Sequence, residues 1–277
     1  MVNAHYSKST ILSLFKSAKY INKSFLPYTM ENPKTIAIIP ARGGSKGIPR
    51  KNIKSFLGKP LIAYTIKLAL SCPEINKVIV STEDEEITQI SKGAGAEVPF
   101  KRPEKLAQDN SPTLPVLRHA IRFLEDQGEH YENIIILEPT SPLRTKQLIL
   151  DTIKALSDPE SETVVSARKY DVDFSDILKA DENNFLSIFL DAETTFRRQG
   201  TKDVYIMDGS IYGVKRNILM DDSLIILNPC KERPDLKTKL VISNPKLSVE
   251  IDNEEDWEYA EYLYQKHRNL IEGENKW

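Results

Sequence analysis

The chain has 277 residues, of which 40% are hydrophobic and 28% charged, enough to enclose a sizeable core in one large domain or a domain with a sub-domain. A formal net charge of -2 excludes a strong overall field for nucleic acid or an anionic membrane, so any basic site is local. Two cysteines and four histidines in no metal-ligand spacing argue against a disulfide framework or structural zinc, and no apolar stretch reaches the roughly 18 to 20 residues of a membrane span. The expectation is a cytoplasmic protein in a reducing compartment.

Residues 1–34 read as a basic extension, expected to be disordered. The start lacks Asp and Glu up to Met30 but carries Lys8, Lys16, Lys19 and Lys23. The absence of Arg argues against a transit peptide, and a start at Met30 is the other reading. "TIAIIP" at 35–40 predicts a buried strand, followed by the glycine- and cation-rich "ARGGSKGIPRKN". "KPLIAYTIKLALS" predicts a helix with Pro60 as its first residue, "KVIVST" a strand, and "DEEITQISKGAG" a helix ending on glycine. After an irregular, charged "VPFKRPEKLAQDN" come a helix in "LPVLRHAIRFLEDQG", a strand and loop in "NIIILEPTSPLR", a helix in "QLILDTIKAL" and a strand in "TVVSAR". Such alternation predicts an α/β fold, a mainly parallel sheet with helices on both faces and ligands beyond the carboxyl ends of its strands. Between about 169 and 203 the alternation stops, which marks an inserted arm or a surface excursion. "GSIYGV", "KLVIS" and "LSVEID" then read as strands, and "DWEYAEYLYQKHRNL" as a closing amphipathic helix.

Gly43, Gly44 and Gly47, directly after the first strand, are expected to let backbone amides approach an anion, with Arg42, Ser45, Lys46, Arg50 and Lys51 supplying charge and donors. The run matches neither the Walker loop nor the G-x-G-x-x-G fingerprint, so it reads as another kind of polyphosphate cradle, against the plainer alternative of a solvated turn. Arg42 and Lys51 are the candidate charge stabilisers for phosphoryl or nucleotidyl transfer. Asn52 suits a sugar or base edge, or equally a turn cap. Glu250 and Asp252, two apart on an extended segment, share a face where two carboxylates suit Mg2+. The acidic residues Glu254, Glu255 and Asp256 read rather as the first turn of the following helix.

"IIPARGGSKGIPRKN", "VSTEDEEI", "RPEKLAQD", "LEPTSPLR", "GSIY" and "VEID", in this order and spacing, resemble the acylneuraminate cytidylyltransferase family, which makes CMP-activated sialic and related nonulosonic acids. The resemblance implies a Rossmann-like nucleotidyltransferase domain over 35–277 with a small dimerisation arm at about 169–203. It implies CTP and a nine-carbon sugar acid as substrates, Mg2+ or Mn2+ as cofactor, and a homodimer or tetramer without nucleic-acid or membrane partners. It places nucleotide contacts at Ala41, Arg42, Gly43, Ser45, Lys46, Asn52, Arg102, Ser111 and Thr113. Sugar contacts fall at Glu138, Ser141, Arg197, Arg198 and Gln199, metal ligands at Glu250 and Asp252, and the catalytic set is Arg42, Lys51 and Asp252.

The chain departs from the family pattern chiefly on the sugar side. Glu138 stands where the family has Gln, Glu250 where it has the first Asp of D-x-D, and Ile206 and Asp208 where it has Arg and Asn. The His-Pro pair of the family's arm is missing around Asp173 and Phe174. A carboxylate at 138 opposes a substrate carboxylate unless it is protonated or meets a cationic or donor group, which points to a non-standard sugar. The rival readings are a glycosyltransferase or another sugar nucleotidyltransferase, and a non-catalytic nucleotide-sugar binder.

Overall fold

The computed structural model describes residues 33–170, 178–180, 182, 185–188, 203–224 and 233–274. Its central strand, β1 (Thr35–Pro40), follows the "TIAIIP" run, with Ile36 and Ile38 facing one apolar layer and Ala37 and Ile39 the other. Burial on both faces is why this strand shows no polar alternation. β2 (Ser55–Phe56) and β3 (Lys59–Pro60) form a small antiparallel pair after the glycine loop. β4 (Lys77–Ser81) and β5 (Asn133–Ile136) flank β1 in parallel. β6 (Thr163–Tyr170), β9 (Val204–Lys215) and β10 (Thr238–Ile242) extend the sheet to six strands in the order β10-β6-β9-β5-β1-β4. β7 (Leu178–Ala180) and β8 (Leu186–Ile188) form a separate antiparallel pair within the predicted insertion.

Helices α1 (Leu61–Leu70), α2 (Glu85–Gly93) and α4 (Lys146–Leu156) bring Ile62, Ile66, Ile87 and Ile149 to one face of the sheet. On the other face α3 (Thr113–Asp126) and the short α5 (Arg216–Leu219) contribute Leu114, Leu117, Ile121 and Leu219. α6 (Glu254–Lys266) and α7 (Arg268–Glu274) build a third core with the residues after the glycine loop. There Phe56 lies edge-on to Tyr64, Trp257 and Tyr264 at centroid distances of 5.3, 5.5 and 6.1 Å. Such pairs add about 0.5–1.5 kcal/mol each beyond the area they bury. This packing carries the C-terminal carboxylates to the edge of the glycine loop.

As expected, the sheet is mainly parallel; β9, which contains "GSIYGV", is the exception and runs antiparallel to both β5 and β6. An antiparallel neighbour needs no crossover connection, so β9 pairs beside β6 in the opposite sense. Three other expectations are corrected in detail. "LSVEID" pairs as no strand: it begins in a turn at Leu247 and is tied to the loop after β5 by the Ile251 N–H, which donates to the Thr140 carbonyl at 2.9 Å. Pro60 caps α1 rather than opening it. The closing helix is interrupted at His267, between α6 and α7.

Candidate active site

A pocket of about 280 Å3 opens where β1 and β5 end, bounded by Pro40, the glycine loop, residues 102–113 and the Glu138, Pro139 and Thr140 turn. Of the sequence-predicted residues, Arg42, Ser45, Lys51, Asn52, Arg102, Ser111, Thr113 and Glu138 line it. A larger cavity, about 550 Å3, lies by Pro33, Asn133, Lys215 and Arg216, where β5 begins and β9 ends, and it gathers none of the predicted residues.

The glycines divide the work differently from expectation. A Cβ on Gly44 would meet nothing within 4 Å, so only this glycine faces open space in the loop. A Cβ on Gly43 would lie 2.5 Å from Asp84 Oδ2, and one on Gly47 would collide with the Asp252 carbonyl oxygen. These two are glycine because other parts of the protein approach closely. The Gly43 amide already donates to Glu83 Oε1 at 2.7 Å, and the Ala41 amide to the Ser81 carbonyl at 2.9 Å. Arg50 is also structural. With φ of 56°, it leads into a short helical turn at Lys51–Ile53 and binds Asp84, and Glu86 at 2.6 Å. Asp84 in turn caps α2 by accepting the Ile87 N–H at 3.0 Å, and the Arg50 guanidinium, ahead of this cap, holds its carboxyl below the usual range.

The remaining cations face the pocket or its rim. Arg42 donates to Asp109 Oδ1 at 2.8 Å, and the exposed Lys46 reaches Asp109 Oδ2 at 3.3 Å. Lys51 Nζ donates to the Ile251 carbonyl at 2.7 Å and to Asp252 Oδ1 at 3.2 Å, bridging the loop to the C-terminal carboxylates. Arg102 is buried against Ser81, donating from Nε to Ser81 Oγ at 3.1 Å, and burial lowers its pKa. Asn52 donates to the Arg42 carbonyl at 3.0 Å, so its turn-tying role is realised while it still borders the pocket. Ser111 Oγ accepts the Gln108 N–H and donates to the Lys105 carbonyl, each at 3.1 Å, closing the turn before α3.

Outside the pocket lining, four residues of β9 face a single residue of β6: Val165 pairs with Tyr212 and Ala167 with Met207. This bulge turns Asp208 inward, where it accepts from Ser166 Oγ at 2.5 Å, from the Ser210 N–H at 3.1 Å and from Ser248 Oγ at 3.0 Å. Gly209 takes φ of +66°, and the carboxylate of Glu250 fills the space its Cβ would need, 2.5 Å from Oε2. The glycine of "GSIY" thus makes room for Glu250. Burial first, then the charge of Glu250, pushes the Glu138 carboxyl up to about 7. Arg144, wholly buried, donates to the Glu138 carbonyl at 2.8 Å and to the Ser210 carbonyl at 2.5 Å, joining this turn to the bulge. Ser141 is 1% exposed and lies behind the turn rather than on the pocket wall. Arg197, Arg198 and Gln199 lie outside the described residues.

Glu250 and Asp252 approach the pocket from the side. Among the described residues no group of three or more His, Cys, Asp or Glu gathers as a metal cage. Burial and then the neighbouring Asp252 charge raise the Glu250 pKa, so the two carboxylates sense each other. Such a pair fits Mg2+ that takes its other oxygens from phosphates and water. As expected, Asp256 belongs to α6: with Asn253 it forms the capping box, while Glu254 meets Lys54 at 2.6 Å. Asp109 and Glu83, both inside quoted motifs, received no role from the sequence. Their signal was an acid set among the cations of an anion site.

A cation-lined pocket at the carboxyl ends of β1 and β5, flanked by paired carboxylates, defines a nucleotide-handling α/β enzyme. A family model described as cytidylyltransferase matches residues 36–275, and the chain belongs to that family. The pseudaminic acid cytidylyltransferase of Campylobacter jejuni is 32% identical over 232 residues, 83% of this chain and 96% of that protein. A CMP-N,N'-diacetyllegionaminic acid synthase of Legionella pneumophila is 27% identical over 241 residues, 86% of this chain and 99% of that protein. Among solved structures, a CMP:2-keto-3-deoxy-manno-octonic acid synthetase complexed with CTP shares the fold. It has a TM-score of 0.63 at 16% identity and covers 84% of this chain and 99% of that one. No helix among the described residues is long and apolar enough to cross a membrane.

Proposed function

We propose that the protein transfers the CMP group of CTP to a nonulosonic, sialic-acid-like 2-keto sugar acid and releases pyrophosphate. The observation that carries this reading is the convergence of Arg42, Ser45, Lys51 and Arg102 on one pocket, with Lys51 joined to Asp252. The names of the relatives, which cite pseudaminic and diacetyllegionaminic acids, supply the substrate class. The anomeric hydroxyl attacks the α-phosphorus of CTP. An O–P bond forms, the bond to the pyrophosphate oxygen breaks with its electron pair leaving on pyrophosphate, and the hydroxyl proton passes to water. Arg42 and Lys51 meet charge that develops on the phosphate oxygens, and the uncapped N-terminus of α3 at Thr113 adds its dipole to the nucleotide side.

Mg2+ or Mn2+ fits Glu250 and Asp252, and when bound it supplies Lewis-acid neutralisation of phosphate charge. The sugar acid is assigned to the Glu138 side of the pocket; Arg197, Arg198 and Gln199, also assigned to it, lie outside the described residues, and the buried Ser141 supports the turn from behind. The insertion after β6 is assigned to dimerisation, giving a homodimer or a tetramer, and the enzyme is assigned to the cytoplasm. Incubation with CTP, Mg2+ and a panel of sialic, legionaminic, pseudaminic and 3-deoxy-octulosonic acids tests the reading. Pyrophosphate release with a CMP-sugar of the expected mass from one acid supports it, and its absence with every acid counts against it.

A further inference from the structure

Two loop cations, Arg42 on the pocket wall and the exposed Lys46 beside it, are not free. Asp109 lines the pocket and spans both of them, at 2.8 Å from Arg42 and 3.3 Å from Lys46. Its side chain is 47% exposed, and it sits on the turn that Ser111 closes back onto the Lys105 carbonyl, so an excursion into water costs it little solvation. Glu83 also occupies a donor of the loop, the Gly43 amide, but differs in being anchored: its other oxygen is buried and accepts no hydrogen bond. Of the two acids, Asp109 is the one a ligand can displace.

We propose that Asp109 is a displaceable internal counter-ion that weakens the hold of the pocket on polyphosphates. In the free enzyme it holds Arg42 and Lys46 as a stand-in for phosphate oxygens. A triphosphate, or the departing pyrophosphate, displaces it because several charged oxygens compete for the two cations at once. A nucleoside monophosphate, lacking the outer phosphates, does not engage these two cations and leaves Asp109 in place. When pyrophosphate leaves, Asp109 returns to the cations and hastens its release. This rests on the cytidylyl-transfer reading only in that the pocket holds CTP and yields pyrophosphate.

The test is titration calorimetry of CTP, pyrophosphate and CMP against the wild-type protein and Asp109→Asn, with Asp109→Ala as a second variant and a melting curve to confirm folding. An exposed ion pair is weak, so the expected effect is modest: CTP and pyrophosphate bind about three- to tenfold more tightly to the variants, while CMP changes little. Stopped-flow release of pyrophosphate slows by a similar factor. Weaker binding of CTP and pyrophosphate by both variants would overturn the proposal and make Asp109 an orienting partner of the cations. An equal change for CMP, or none for any ligand, would also overturn it. Failure of the wild type to bind either CTP or pyrophosphate would instead remove the functional reading, and the proposal with it.

Discussion

At the scale of single residues, the pocket separates side chains that meet charge from those that hold the backbone. Lys51 does both, since its ammonium reaches the Ile251 carbonyl and the Asp252 carboxylate from the turn that borders the pocket. Loss of a preorganised charge at a reacting phosphate costs about a hundredfold or more in rate. Lys51→Ala is therefore expected to lower kcat with CTP by at least that factor, as measured by pyrophosphate release. Glu138 shapes the other substrate. Its carboxyl, pushed up to about 7 chiefly by burial, is protonated below that value and charged above it. With N-acetylneuraminate, whose carboxylate a charged Glu138 repels, turnover by the wild type is expected to decline as pH rises through about 7. Glu138→Gln should turn this acid over faster than the wild type does, with no such decline. Unchanged sugar preference in the variant would remove Glu138 from the sugar subsite.

At the scale of elements, the glycine loop is a meeting point of three segments rather than a flexible strap. Gly47 receives the Asp252 carbonyl, and Gly43 receives Asp84. Gly47→Ala forces the C-terminal carboxylate segment away and is expected to destabilise the fold by about 1–3 kcal/mol while depressing activity, read from urea unfolding and pyrophosphate release. Asp84 joins the cap of α2 to the Arg50 clamp, so Asp84→Ala should cost about 0.5–2 kcal/mol through the lost cap alone. Because the folded state lowers the Asp84 pKa, its contribution is full above the unfolded carboxylate range, near 4, and is lost as pH falls through the lower folded value. The difference in urea midpoint between the wild type and Asp84→Ala should accordingly shrink below about pH 4.

At the scale of the whole molecule, the sequence revealed most where local physics dominates. The buried run of β1, the 3.6-residue periodicity of α3 and the glycine loop between strand and helix were legible because each is set by its own residues. The reversed sense of β9 was not, since an antiparallel return after the excursion following β6 has the same apolar pattern as a parallel strand. In the site, Arg42, Lys51 and Asn52 could be found from composition and spacing, whereas the duties of Gly43, Gly47 and Arg50 depend on partners over 30 residues away in sequence. Asp109 was hidden because an acid in a basic pocket has no spacing signature. The central claim is that the pocket directs attack to the α-phosphorus of CTP, and the fate of that phosphorus tests it most directly. With CTP labelled at the α-phosphate and an accepted sugar acid, the account predicts label in the CMP-sugar and none in pyrophosphate. Label recovered in CDP or CMP, with no labelled sugar product from any acid, would contradict it.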